Sequence, residues 1–175
     1  MSEDFGKIYN QYVTKIYRFI FLKVSSQEIA EDLCADVFVD ALREFQKAQI
    51  ENFQAFLYQV AKNTIADYYR DKARFQVISI EETDVIEDGA DSVFQQAARN
   101  SEMEIVREAL LGLSDDYQNL IIWRYLDELS IPEIAQITGK SEGNLRVGIH
   151  RALYALKGRL QSEEGPLSQA LLVRE

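Results

Sequence analysis

The chain has 175 residues, 47% of them hydrophobic, and a formal net charge of −10. That length allows one ordinary domain or two small ones, with enough apolar residues for a packed core. One cysteine and one histidine exclude an internal disulfide and argue against a zinc site, so we expect neither metal nor cofactor. Few Gly and Pro residues and no alternating β-branched runs predict an all-α fold.

The first two predicted helices span residues 4–24 and 27–46. The first has a wide aromatic face that is typical of a core helix. Ser26 is placed to cap the second helix, whose apolar side includes Cys34 and Phe38. The opposite side carries Glu28, Glu31, Asp32, Asp36 and Asp40. Such a face is usually only solvated, and the alternative is a docking surface for a basic partner.

A third helix is predicted over residues 53–74. Its apolar stripe indicates one buried side, and its other side mixes cations with amide, hydroxyl and aromatic groups: Lys62, Asn63, Thr64, Tyr69, Arg70, Lys72 and Arg74. Single-stranded nucleic acid is bound by such surfaces, because cations meet phosphates and aromatic rings stack on bases. An ordinary amphipathic helix with cations near its C-terminus fits the pattern equally well.

Residues 76–101 lose the helical period and are predicted to form an acidic linker. Between residues 76 and 105 there are eight carboxylates and only Arg99 opposes them. We therefore divide the chain into a domain at 4–75, the linker, a second domain at 102–161, and a tail at 162–175. The tail is broken by Gly165-Pro166, and we assign it no role.

The second domain is predicted to contain a helix-turn-helix. A short helix begins near Glu102, and Ser114 is placed to cap the next, which offers Trp123 and Tyr125 for packing. Ser130 and Glu133 then form a capping box, and Gly139 is suited to end that helix because it accepts positive φ. Ser141 would cap the final helix.

The final helix has a basic and amide-bearing outer face. Its outward positions are Asn144, Arg146, Val147, His150, Arg151, Tyr154, Lys157 and Arg159. In a helix-turn-helix such residues reach base edges and phosphates in the major groove, whereas the alternative is a helical hairpin with a solvated charged face. Because phosphate neutralisation supplies most non-specific affinity, we expect this acidic chain to bind free DNA poorly and to need a partner that brings it there.

Three motifs in order resemble those of an extracytoplasmic-function sigma factor, the two-domain form of the sigma-70 family. AEDLCADVF at 30–38 resembles region 2.2, and FLYQVAKNTIADYYRDKAR at 56–74 resembles regions 2.3 and 2.4. LSDDYQNLIIWRYLDELSIPEIAQITGKSEGNLRVGIHRAL at 113–153 resembles region 4. The resemblance covers about residues 5–160. It implies a region 2 helical bundle and a region 4 helix-turn-helix joined by the acidic linker.

The resemblance also implies partners and contacts. Core RNA polymerase would bind through its β′ clamp helices and β flap, promoter DNA would be the second partner, and many relatives are held by an anti-sigma factor. The implied polymerase-docking residues are Glu31, Asp32, Asp36 and Phe38. The implied minus-ten residues are Lys62, Asn63, Thr64, Arg70 and Arg74. The implied minus-thirty-five residues are Ser141, Asn144, Arg146, Val147, His150, Arg151 and Lys157.

Three departures from the family pattern affect these expectations, one of them in the loop QKAQIEN, which lacks the family's frequent Arg-Gly. Phe56 replaces the usual Trp and keeps an aromatic ring. Val147-Gly148 stand where many members have Ser-Arg, so we expect one phosphate contact fewer and a helix weaker by about 1 kcal/mol than with Ala at 148.

The implied function is promoter-specific transcription initiation in the bacterial cytoplasm, without enzymatic activity and without insertion into a membrane. The main alternative is a stand-alone helix-turn-helix regulator that binds duplex DNA without polymerase. A third hypothesis is a helical adaptor with no nucleic-acid role, which would leave the basic face of the final helix unexplained.

Overall fold

The computed structural model describes the backbone of residues 2–81 and 102–162, which form seven α-helices and no strand. They are α1 Ser2–Val24, α2 Gln27–Lys47, α3 Phe53–Glu81, α4 Glu102–Leu111, α5 Asp115–Ile121, α6 Ile131–Thr138 and α7 Glu142–Ser162. The chain divides into two compact units, Met1–Gly89 and Ala90–Glu175. The all-α prediction is confirmed, and the division falls inside the segment predicted as a linker.

Unit 1 is a bundle in which α1, α2 and α3 each contact the other two. Its centre combines aliphatic side chains with Phe19 and Tyr58, whose rings meet edge to face at 5.5 Å between centroids. Nearer the rim, Phe45 contacts both Phe5 and Phe53, at 5.6 and 5.4 Å between ring centroids. Because aromatic rings bury large areas, these contacts contribute much of the core that the three described helices share.

The helix ends of unit 1 follow the predictions in part. Ser26 caps α2 as expected, its Oγ accepting a hydrogen bond from the Ile29 N–H at 3.4 Å. Asn52, which we did not predict as a cap, accepts from the Ala55 N–H at 2.9 Å and begins α3. The end of α3 differs from the prediction, because the helix continues to Glu81 and takes in the first residues assigned to the linker. No Gly or Pro occurs between residues 75 and 88 to stop it. The rest of that segment, 82–101, and the tail from 163 onward lie outside the described residues.

Unit 2 packs short helices around α7, which contacts α4, α5 and α6. The prediction that Trp123 is a core residue is confirmed, since only 1% of its surface is exposed. A π-helical turn, Ile122–Leu126, continues α5 and was not predicted. Its hydrogen bond runs from the Asp127 N–H to the Ile122 carbonyl at 2.9 Å. Tyr125, expected to pack, is 48% exposed. A π-helical turn holds more residues than an α-helical one, so the helical register changes across Ile122–Leu126.

Within the described parts of both units, none of the helices has both the length and the apolar character that crossing a bilayer requires.

Candidate nucleic-acid and polymerase-docking surfaces

The helix-turn-helix of unit 2 is fixed by the local signals that the sequence predicts. Ser130 Oγ accepts from the Glu133 N–H at 3.3 Å, and the Glu133 carboxylate accepts from the Ser130 N–H at 2.7 Å. Gly139 ends α6 with φ 69°, a left-handed conformation that favours glycine. Ser141 Oγ accepts from the Asn144 N–H at 3.3 Å at the start of α7. The capping box, the glycine stop and the Ser141 cap are thus all confirmed.

The turn is also tied to the rest of unit 2. Lys140 Nζ lies 3.3 Å from Asp116 Oδ2 in an exposed ion pair. Ser114 occupies the N-cap position of α5, as predicted, but its side chain makes no capping hydrogen bond.

One side of α7 is buried and the opposite side is exposed. Leu145, Ile149, Ala152 and Leu156 form the buried side. All seven residues predicted to read the minus-thirty-five element are exposed: Ser141, Asn144, Arg146, Val147, His150, Arg151 and Lys157. Arg146 pairs with Glu142 at 3.1 Å between Nη2 and Oε2. An exposed pair of this kind contributes about 0.3–0.5 kcal/mol, so it leaves the guanidinium able to exchange partners.

Two other positions on α7 differ from their expected role. A Cβ at Gly148 would lie 3.1 Å from Leu120 Cδ1, so this position faces α5. A side chain at position 148 would point toward α5, so the structure does not support the expectation that glycine here removes a phosphate contact. The Arg159 guanidinium lies over Gly112, where a Cβ would collide with it. Arg159 therefore covers the turn after α4 and lies away from the exposed residues that are assigned to DNA.

The exposed side of α3 separates into outward and anchored groups. Asn63, Arg70 and Arg74 are exposed, and Lys62 and Thr64 are half-buried. Residues 63, 70 and 74 are spaced by seven and four, which places them along one line of the helix. Arg70 forms an exposed ion pair with Asp67 at 2.6 Å.

The two hydroxyl groups predicted on this surface are engaged within the protein. Thr64 Oγ1 donates to the Val60 carbonyl at 2.9 Å, and Tyr69 OH donates to the Lys23 carbonyl at the end of α1. Tyr69 therefore also ties α3 to α1. Lys23 itself is buried, which the sequence pattern did not predict, and its ammonium lies 5.1 Å from the centre of the Phe19 ring.

The acidic face of α2 points outward, as the periodicity predicts. Glu31, Asp32 and Asp36 are exposed, and Glu31 accepts from the Gln27 side-chain amide at 2.9 Å. Phe38 is different, because only 5% of its surface is exposed and its ring packs edge to face on Tyr9 at 4.8 Å. Phe38 is thus a core residue, as its place on the apolar side of α2 predicts, and a direct contact of its ring with polymerase stays a prediction that its burial does not support.

A groove of about 380 Å³ runs between α1 and α2, lined in part by Tyr17, Glu31 and Cys34. Burial raises the pKa of the Cys34 thiol from 9.0 to about 11. Burial, followed by the nearby Glu31 and Cys34, also raises the pKa of Tyr17. A thiol that stays protonated is a poor nucleophile, so Cys34 fits the predicted role of a small core residue. Among the described residues, no group of three or more His, Cys, Asp or Glu side chains is placed to hold a metal ion.

Unit 2 contains a helix-turn-helix with a cationic outer face, and unit 1 has an acidic helix face. This combination is typical of a DNA-binding protein with separate functional domains. The family profile of sigma-70 region 2 matches residues 8–75, and that of sigma-70 region 4 matches residues 103–156. The chain belongs to the extracytoplasmic-function group of RNA polymerase sigma factors. The match to region 2 as well as region 4 supports a sigma factor over the stand-alone regulator.

Several bacterial RNA polymerase sigma factors are similar to this chain over most of its length. The chain is 32% identical over 152 residues to the RNA polymerase sigma factor YlaC of Bacillus subtilis, covering 86% of this chain and 88% of the relative. It is 30% identical over 156 residues to the ECF sigma factor SigM of the same organism, covering 86% and 91%. It is 31% identical over 161 residues to the ECF sigma factor BldN of Streptomyces coelicolor, and that match covers 89% of this chain but only 60% of BldN.

Solved structures show the same fold at lower identity. The sigma factor RpoE, in its complex with the anti-sigma factor NepR from Bartonella quintana, aligns with a TM-score of 0.70 and 21% identity, over 93% of this chain and 99% of RpoE. CnrH, in its complex with the cytosolic domain of CnrY, aligns with a TM-score of 0.71 and 21% identity, over 94% and 92% of the two chains.

Proposed function

We propose that this sigma factor binds core RNA polymerase through the acidic face of α2 and reads its promoter with two separate helices. In this scheme α7 enters the major groove of the minus-thirty-five duplex, and α3 holds the opened minus-ten strand. The observation that carries the proposal is the exposure of all seven α7 residues that the sequence assigns to DNA, on the side of the helix opposite its buried stripe.

On α7, hydrogen-bonding groups and cations take different parts in duplex recognition. Asn144, Arg146 and His150 have the donors and acceptors that distinguish base edges in the major groove. Arg151 and Lys157 provide cations for phosphates, and Ser141, whose hydroxyl caps α7, lies at the helix N-terminus, where a phosphate is favoured. Arg146→Ala should cost about 1–3 kcal/mol and relax specificity at one base pair. An equal loss on every promoter sequence would instead make Arg146 a phosphate contact.

On α3, Asn63 is the group best placed to bond a base that has left the stack. Asn63 is exposed, whereas the hydroxyl of the neighbouring Thr64 is held by the Val60 carbonyl. Lys62, Arg70 and Arg74 would hold the phosphates of the opened strand. Capture of an unstacked base offsets the few kcal/mol that unstacking costs. Asn63→Ala should therefore slow promoter opening while leaving core binding unchanged, measured by permanganate footprinting.

On α2, Asp32 and Asp36 are the main docking groups that we propose, with Glu31 beside them at the edge of the groove. They would meet cations of the β′ clamp helices, and the β flap would contact unit 2. Phe38 supports this face from the core by holding α2 against Tyr9. Since electrostatic complementarity sets partner choice, reversing two of these charges should weaken core binding strongly.

The decisive experiment is run-off transcription with purified core polymerase and a promoter library. The wild-type chain should direct initiation at a subset of promoters, and the double variant Asp32→Lys, Asp36→Lys should lose core affinity by about 100-fold. The control Glu44→Lys, Glu51→Lys makes the same change in net charge on the same unit and should bind normally. Equal binding by both double variants would reject the docking face, and tight specific binding of duplex DNA without polymerase would reject the whole scheme.

We infer that an anti-sigma factor is a further partner, because RpoE, which shares this fold, was solved in complex with the anti-sigma factor NepR. The proposed function places the chain in the bacterial cytoplasm with polymerase and DNA, and its action requires no catalytic group of its own. Affinity purification of the tagged chain from its native cells, followed by mass spectrometry, should recover this regulator in a fraction that lacks polymerase.

A further inference from the structure

The N-terminal half of α7 has an uncharged, apolar ridge whose part in recognising the minus-thirty-five element is not specified by the assignments above. The ridge consists of Gly143 and Val147, which lie one turn apart, opposite the buried Leu145 and Ile149. Val147 is 50% exposed and lies among polar and cationic neighbours on this side of the helix. No packing demand explains glycine at 143, because nothing lies within 4 Å of a Cβ there and its φ is not positive.

The geometry of a helix makes Val147 the most prominent side chain at this end of the ridge. Side chains on an α-helix lean toward its N-terminus, so Val147 covers the surface of the preceding turn. That turn presents Gly143, which has no side chain to stand beside or in front of the valine. At 100° per residue, Asn144 and Arg151 lie on one flank of the ridge, and Arg146 and His150 lie on the other.

We propose that Val147 determines specificity by contacting the C5-methyl group of a thymine in the minus-thirty-five element. This methyl is the apolar group that bases present in the major groove, and the amide and guanidinium groups on both flanks can bond neighbouring bases at the same time. The missing side chain at Gly143 allows the helix to approach the groove floor closely enough for an isopropyl group to reach a methyl. The inference rests on the proposed function, in which α7 enters the major groove.

The test uses the full chain with core polymerase and a promoter chosen from the run-off library. Each thymine of the minus-thirty-five element is replaced singly by deoxyuridine, which removes only the methyl group. At one position this change should weaken holoenzyme binding by about three- to five-fold, the ratio that corresponds to burying one methyl group. Val147→Ala should lose a similar factor on the thymine promoter and show no further loss with deoxyuridine at that position.

Two controls separate this contact from general effects. Tyr154→Ala changes a side chain on the same side of α7, two turns beyond Val147, where the tyrosine is 78% exposed. This variant should keep the deoxyuridine penalty in full. Gly143→Ala should fold normally but bind every minus-thirty-five sequence less tightly, because its methyl group holds the helix away from the base edges.

A full deoxyuridine penalty in Val147→Ala at every thymine would overturn the proposal, as would a selected element that tolerates loss of every thymine methyl. Failure of the proposed function gives a different result, since scrambling the whole minus-thirty-five element would then leave holoenzyme binding unchanged.

Discussion

Unit 1 and unit 2 reach stable helical folds by different routes. The three helices of unit 1 have 21 to 29 residues, whereas α4, α5 and α6 of unit 2 have 7 to 10. Long helices can be held by a large interhelical core, and that of unit 1 is rich in aromatic contacts. Short helices gain little from propagation, so their ends need caps and stops close by in sequence. The eight-residue α6 follows this rule, with a capping box and a glycine stop, whereas the seven-residue α5 has no side-chain cap bond and relies on its contacts with α7.

The same two units also differ in charge. The outward side of α2 is acidic, while residues 140–160, including the start of α7, hold five cations and one carboxylate. An acidic surface repels DNA, and a single basic helix neutralises few phosphates. This division explains why we expect selective DNA binding only after polymerase has been bound.

The largest stability effect should come from the aromatic core of unit 1. Phe19→Ala removes a fully buried ring that contacts Tyr58, and it should lower the free energy of unfolding of unit 1 by about 3–5 kcal/mol. Urea unfolding monitored by circular dichroism measures this change. Phe75→Ala is the matched control, because this ring is 70% exposed and its loss should cost less than about 0.5 kcal/mol. Equal costs for the two variants would refute the role given to the core.

The next effect concerns the turn of the helix-turn-helix. Gly139→Ala places a Cβ at φ 69° and should destabilise unit 2 by about 1–2 kcal/mol. Gly143→Ala adds the same methyl in open space without positive φ and should not destabilise unit 2. Thermal unfolding of the two variants side by side checks the difference, and an undiminished melting temperature for Gly139→Ala would contradict the assigned turn conformation.

A smaller effect distinguishes the two serine caps of unit 2. Ser130→Ala removes a hydrogen bond to the Glu133 N–H and should cost about 1 kcal/mol. Ser114→Ala should be nearly neutral, because the Ser114 side chain makes no capping hydrogen bond. Chemical denaturation at fixed pH measures both. If Ser114→Ala proved the more costly change, the contrast between these caps would be wrong.

The last prediction is that alkylation of the Cys34 thiol should be very slow in folded unit 1. With its pKa raised from 9.0 to about 11, Cys34 remains protonated at pH 8, and its thiolate fraction is about 100-fold lower than that of a free thiol. Alkylation of the native chain should therefore be slow at pH 8 and should accelerate as the pH approaches 11. The urea-unfolded chain is the control and should react rapidly. Equal rates in the folded and unfolded chains would show that the thiol is not buried.

The sequence by itself determined the all-α fold, the helix-turn-helix, the acidic and basic helix faces and the family. These properties depend on periodicity or on residues three or four positions apart, as with Ser130 and Glu133, so they can be recognised without knowing what packs nearby. The roles of individual α7 residues toward DNA were also predicted from sequence, and they stay predictions that exposure supports.

Only the tertiary structure decided which of the chosen side chains are available. Tyr69 is anchored because its hydroxyl reaches the Lys23 carbonyl, 46 residues earlier. Gly148 faces Leu120 because α7 crosses α5 at that point. The π-helical turn after Ile121 likewise has no local signal that we recognised. In each case the deciding contact joins residues far apart in the chain or shifts the helical register, and periodicity reports neither.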